Sequence, residues 1–168
     1  MKKLIFLCTL TLSLLSYAQG LKDLDKAFGI NKFKLKSSYS LYKEHLKYFD
    51  TTPQGIEFYY YTKGDVKKLF GQSVEQISLG YIDNKLYVIT INFGSITKKE
   101  DLALLENLKT SYDIPEIIQP DKDDLIYVAK WETGKVYMQA EEYTCSKQIA
   151  PCETQLFIYS KDLKKGLQ

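Results

Sequence analysis

Few side chains in this sequence could make or break bonds, and their spacing works against most reactions. His45 is the only histidine, so a serine- or cysteine-centred triad would depend on it alone, with no nearby histidine or cysteine as a metal partner. It reads as a surface or boundary residue. Two carboxylate groupings, Asp121 with Asp123 and Asp124 and the adjacent Glu141-Glu142, raise glycosidase-like or calcium chemistry. Consecutive strand residues face opposite ways, so Glu141 and Glu142 do not share a site, and the aspartates lack the glycine and bidentate glutamate of a calcium loop. Both groupings read as solvated loop charge. No phosphate loop, dinucleotide fingerprint or zinc spacing occurs. The sequence assigns no catalytic residue, no metal ligand and no cofactor.

The cysteines report on compartment instead. Lys2 and Lys3 precede an apolar run from Leu4 to Leu15 that is short for a membrane span, and Ser16-Tyr17-Ala18 offers small residues where a signal peptidase inspects the chain. Residues 1–18 are expected to be a signal peptide cleaved before Gln19, leaving one domain over 19–168, periplasmic or secreted. Cys8 lies inside the apolar run behind Ile5-Phe6-Leu7, without the small residues of a lipid-attachment site. Loss of Cys8 leaves Cys145 and Cys152, whose separation suits a hairpin loop carrying Pro151, and an oxidising compartment would keep them paired as a disulfide. No later run reaches the length of a membrane span.

Charge narrows the partners. The chain has 23 basic residues, all lysine, against 21 acidic ones, and removal of Lys2 and Lys3 balances the count. Arginine, the fork that proteins favour for phosphate and guanine, is absent. Nucleic acid is therefore not an expected partner.

The elements that must carry any site follow from periodicity. Leu21, Leu24, Ala27 and Phe28 predict a short helix ended by Gly29, and Leu41 to Phe49 predicts a second behind the hydroxyls of Ser37 to Ser40. Ile56 to Tyr61 alternates as a strand. Val74 to Phe93 predicts a hairpin about Asp83-Asn84-Lys85, with a three-residue loop that pairs Tyr81 with Tyr87, Leu79 with Ile89 and Ile77 with Ile91. Thr97 and Glu100 form a capping box ahead of a helix with Leu102, Leu105 and Leu108 in its apolar stripe. Leu125 to Tyr143 predicts a second hairpin about Glu132-Thr133-Gly134, with Gly134 left-handed, Val128 opposite Met138 and Ile126 opposite Ala140; Gln155 to Tyr159 adds a last strand. The expected fold is α+β, an antiparallel sheet of about six strands with helices on one face, built from two helix-plus-three-strand units.

In its Phe33-Lys34-Leu35-Lys36-Ser37-Ser38 arm, the helix behind it and the Ile77 to Phe93 hairpin, the chain resembles secreted β-lactamase-inhibitor-like and outer-membrane-assembly-lipoprotein-like domains. That resemblance covers roughly half of residues 19–168 and implies protein binding across an exposed sheet face.

Tyrosine is the other signal. Of 14 tyrosines only Tyr17 falls in the leader, and Tyr59, Tyr61, Tyr127, Trp131 and Tyr137 are placed on strand faces opposite the expected core. Such rings give contact area at low entropic cost and tolerate water, so they form the candidate binding face. The expected function is a non-catalytic, inhibitor- or immunity-like module whose partner is another protein. A carrier with a ligand cavity between sheet and helices, lined by Trp131, ranks second, and a hydrolase third.

Overall fold

The computed structural model describes residues 21–118, 125–143 and 152–164. The leader, Asp121, Asp123, Asp124, Cys145 and the side chain of Cys152 lie outside the described residues.

Residues 21–27 form helix α1. There follow β1 (Gly29–Ile30), β2 (Phe33–Lys34), 3-10 turns at Tyr39–Leu41 and Lys43–His45, β3 (Leu46–Thr51), β4 (Glu57–Tyr61), β5 (Lys68–Leu69), β6 (Gln72–Ser73), β7 (Gln76–Ile82) and β8 (Lys85–Ile96). The second half has α2 (Lys98–Tyr112), β9 (Glu116–Ile118), β10 (Leu125–Glu132), β11 (Val136–Tyr143), β12 (Cys152–Ser160) and α3 (Lys161–Lys164). One antiparallel sheet of 8 strands runs β3-β4-β7-β8-β12-β11-β10-β9. Each half is thus a meander, and the final strands of the two meanders, β8 and β12, pair at the centre of the sheet. The α+β antiparallel expectation holds, with more strands than predicted.

The additional strands are the two edges. The helix expected over Leu41 to Phe49 does not form: 3-10 turns at Tyr39–Leu41 and Lys43–His45 lead into strand β3, and Leu41 and Phe49, two of its expected apolar residues, are 64% and 41% exposed. The Ser38 hydroxyl caps a single 3-10 turn, and the segment then closes the ladder against β4. β9, between Pro115 and Pro120, is a three-residue edge piece paired with β10.

The hairpin registers differ from expectation in instructive ways. Asp83 and Asn84 both have positive φ, 49° and 62°, as a two-residue type I′ turn requires, and Ile82 pairs with Lys85 and Tyr81 with Leu86. A bulge at Tyr87 then restores Leu79 opposite Ile89 and Ile77 opposite Ile91. The core pairs are as expected, although the turn is one residue shorter. In the second hairpin Glu132 pairs with Tyr137 and Trp131 with Met138, while Gly134 does not take the left-handed conformation. The turn is held by Thr133, whose hydroxyl accepts from the Val136 amide at 2.9 Å, and by Asp25 of α1, which accepts from the Lys135 amide at 3.0 Å. Val128 therefore stands opposite Glu141, not Met138, and β10 turns toward the core the face opposite to that expected, while β11 keeps Met138 and Ala140 on the core side.

One core lies on one face of the sheet and takes Leu24 from α1, Phe33 and Leu35 from the arm, and Leu104 and Leu108 from α2. The register lines up Tyr59, Leu79, Ile89, Ile158, Met138 and Trp131 across six strands of that face. α2 begins with the expected capping box of Thr97 and Glu100. Its buried stripe is Asp101, Leu104 and Leu108, while Leu102 is 53% exposed. Beneath the first meander the arm and the tyrosines fill the layer: Phe33 meets Tyr61 edge-on at 5.0 Å, and Tyr39 meets Tyr59 at 5.1 Å and Tyr81 at 5.5 Å. Much of the tyrosine excess is packing.

Candidate functional site

The five aromatics expected on one exposed face do not share it. Trp131 is 2% and Tyr61 7% exposed, both within the core, and the Trp131 indole N–H donates to the Asp113 carbonyl at 2.8 Å. Tyr59 packs on the same cluster, and burial, with Glu57 accepting its hydroxyl at 3.0 Å, pushes its phenol up to about 12. Tyr127 also turns inward. Of the five, only Tyr137 stands on the opposite face, since it alternates with core residues Met138 and Val136. Trp131, Leu104, Leu108, Met138 and Leu156 belong to one almost fully buried cluster between α2 and the sheet.

The face opposite the core is a grid fixed by register. One rung runs Phe58, Gly80, Val88, Tyr159, Tyr137, Glu132; the next Tyr60, Ser78, Thr90, Phe157, Gln139, Lys130; a third Gln76, Asn92, Gln155, Glu141. Aromatic groups stand at two places on it. At the β3–β4 edge Phe49 stacks on Tyr60, with centroids 4.0 Å apart and planes 13° from parallel. Toward the second meander Tyr159 lies 5.8 Å from Tyr87, 6.0 Å from Tyr137 and 6.1 Å from Phe157. Each group borders a hollow. One of about 460 Å³ is lined by Phe49, Asp50, Phe58, Tyr60, Gln76, Ser78, Thr90, Asn92 and Gln155. The other, about 360 Å³, is lined by Tyr87, Tyr137, Gln139, Tyr159, Ser160 and Lys161. The sequence reading missed Phe49, Phe58, Tyr60, Tyr87, Phe157 and Tyr159. Phe58 and Tyr60 are the alternate parity of β4, and Phe157 and Tyr159 alternate with the core residues Leu156 and Ile158; Phe49 lay in a segment expected to be helical, and Tyr87 leaves the core parity only through the β8 bulge.

A second constellation was also misread. Asp101 of α2 is 1% exposed and Glu142 of β11 5% exposed, so Glu142 is not solvated loop charge. Asp101 accepts from the Tyr127 hydroxyl at 2.9 Å and from the Thr154 hydroxyl at 3.0 Å. Burial, then the charge of Asp101 and a hydrogen bond to it, raise the Glu142 carboxyl to about 7, against a smaller opposing pull from Lys98. A carboxylic acid beside a carboxylate shares a proton, which turns repulsion into a hydrogen bond. With both groups enclosed, the pair clamps α2 to β10, β11 and β12 and offers no approach to a substrate. Glu141, on the other face of β11, is separated from it as strand alternation requires. His45 is half-buried, its ring 6.1 Å from that of Tyr61. Among the described residues no group of three or more His, Cys, Asp or Glu side chains could hold a metal.

No helix among the described residues is long and apolar enough to cross a membrane. No protein-family model matches the chain, no curated protein matches it, and no solved structure matches it.

Proposed function

We propose that this chain is a non-catalytic binding module, exported to the periplasm or beyond, that contacts another protein through the open face of its sheet. The observation that carries this reading is the cluster of half-buried Tyr137, Phe157 and Tyr159 packed beside the buried Tyr87, with a hollow lined by Tyr87, Tyr137 and Tyr159, on the face opposite the core. A sheet needs only one packed face to be stable, so aromatics on the other serve contact better than folding. Tyr137 donates to Gln139 at 2.7 Å, and Gln139 in turn donates to Glu141, which fixes ring and amide before any partner arrives.

Export is supported by the leader-like start and by the place of the cysteines. Glu142 and Thr154 pair across β11 and β12, so the loop between Cys145 and Cys152 joins neighbouring antiparallel strands. A disulfide there would close that loop.

The test is crosslinked capture from the source cells with the wild-type chain, Tyr137→Ser/Tyr159→Ser, and Leu102→Ser on the exposed side of α2. A specific protein retained by the wild type and the α2 variant but lost with the sheet variant supports the reading. Retention by the sheet variant, or no specific protein at all, overturns it.

A further inference from the structure

We propose that the hollow between β4 and β12 is a separate binding site for a neutral carbohydrate. Its floor is polar and uncharged. Ser78 and Thr90 face each other across β7 and β8, and Gln76, Asn92 and Gln155 form the neighbouring rung across β7, β8 and β12. All five are half-buried and none carries charge. The hydroxyls of Ser78 and Thr90 and the amide of Gln155 make no side-chain hydrogen bond within the described residues, whereas Asn92 spends its carbonyl on the Gly94 amide at 2.6 Å and Gln76 donates to the Ile77 carbonyl at 3.0 Å. The floor therefore presents hydroxyl donors and acceptors, the free Asn92 N–H groups, the Gln76 carbonyl and both ends of the Gln155 amide.

The wall is aromatic. Tyr60, 36% exposed, and Phe49, 41% exposed, are held parallel at 4.0 Å, and Phe58 meets Phe49 at 5.9 Å. The electron-rich face of a ring attracts the weakly positive C–H face of a pyranose, and neutral amides and hydroxyls match its ring of hydroxyls. The charge pattern disfavours anionic ligands. Among the lining residues the only ionisable carboxylate is Asp50, at the rim beside Phe49, and no lysine lines the hollow to hold phosphate or sulfate. An apolar ligand would strand the floor's donors and acceptors at a cost for each. At about 460 Å³ the hollow falls within the size range of small-ligand sites.

This site is independent of the protein contact at Tyr137 and Tyr159, which line the other hollow. The experiment is a ¹H–¹⁵N correlation titration of the labelled protein with neutral oligosaccharides: β-1,4-glucan, α-1,4-glucan, xylan, mannan and chitin fragments. At least one should shift amides of β4, β7, β8 and β12 in a saturable way. Tyr60→Ala, Thr90→Val and Gln155→Ala should each weaken it about tenfold or more, with the spectrum otherwise native. Tyr137→Ser/Tyr159→Ser should leave it unchanged, which separates failure here from failure of the protein contact. No saturable shift with any of these sugars at millimolar concentration would overturn the proposal. So would binding that survives all three single substitutions.

Discussion

The Tyr127 hydroxyl of β10 donates to the Asp101 carboxylate of α2 across 2.9 Å, joining the helix to a strand in the outer part of the sheet. Thr154 of β12 donates to the other oxygen of the same carboxylate, and Glu142 of β11 lies against it. An aspartate on the buried face of a helix would ordinarily be costly. Here three strands supply its partners, and the stripe of α2 turns so that Asp101 faces inward while Leu102 faces water.

Stability should therefore depend on pH in the neutral range. The Glu142 carboxyl is raised from 4.5 to about 7, so its protonated hydrogen bond to Asp101 is fully present below about 4.5 and lost as pH rises through about 7. The loss is on the order of 1 to 3 kcal/mol. Glu142→Gln, which keeps a donor and does not titrate, should remove this part of the pH profile and be the more stable form above neutrality. Urea unfolding between pH 4.5 and 8 checks this, and identical slopes for the two proteins would contradict it.

Trp131 should behave as core. Trp131→Ala should cost about 3 to 5 kcal/mol, and the fluorescence of this single tryptophan should resist quenching by acrylamide in the folded protein. Easy quenching, with little loss of stability, would return Trp131 to the surface and reverse the register of β10 with β11.

Gly80 should tolerate no side chain. A methyl there would lie 2.5 Å from Val88 Cγ1 and 2.9 Å from Phe58 Cε1, so Gly80→Ala should destabilise by about 1 to 3 kcal/mol. Trimming the neighbour in Gly80→Ala/Val88→Ala should make the combined cost less than the sum of the single ones. Additive losses would count against the close approach of β4, β7 and β8.

The contrast between these elements shows what could be read from residues alone. α2 was legible because Thr97 and Glu100 specify its start locally, and the β7–β8 core pairs were legible because Ile77, Leu79, Ile89 and Ile91 alternate with smaller or polar residues. β4 was not, since Tyr59 and Tyr61 on one parity and Phe58 and Tyr60 on the other are equally aromatic, and only the arm packing on Tyr61 decides between them. In β10 the face depended on the turn, so the change in register moved Tyr127 and Trp131 from the expected outer face to the core side, while Tyr137 of β11 kept the outer face expected of it. Asp101 was hidden for another reason. Its partners Tyr127, Glu142 and Thr154 are distant in sequence, so nothing near Asp101 announces that it is buried.

The cysteines give a chemical prediction. Exported protein, unfolded without reductant, should show no reactive thiol at Cys145 or Cys152, and reduction should cost about 1 to 3 kcal/mol while the sheet persists. Two free thiols in that material would contradict both the pairing and the oxidising compartment.

The central claim, that this chain works through the face opposite its core, is tested most directly by oxidative footprinting of the free protein and of its complex with the captured partner. The account predicts that Tyr137 and Tyr159 are labelled in the free protein and protected in the complex, while Trp131 and Tyr61 are shielded in both. Unchanged labelling of Tyr137 and Tyr159 on complex formation, or protection that maps to α2 instead, would contradict it.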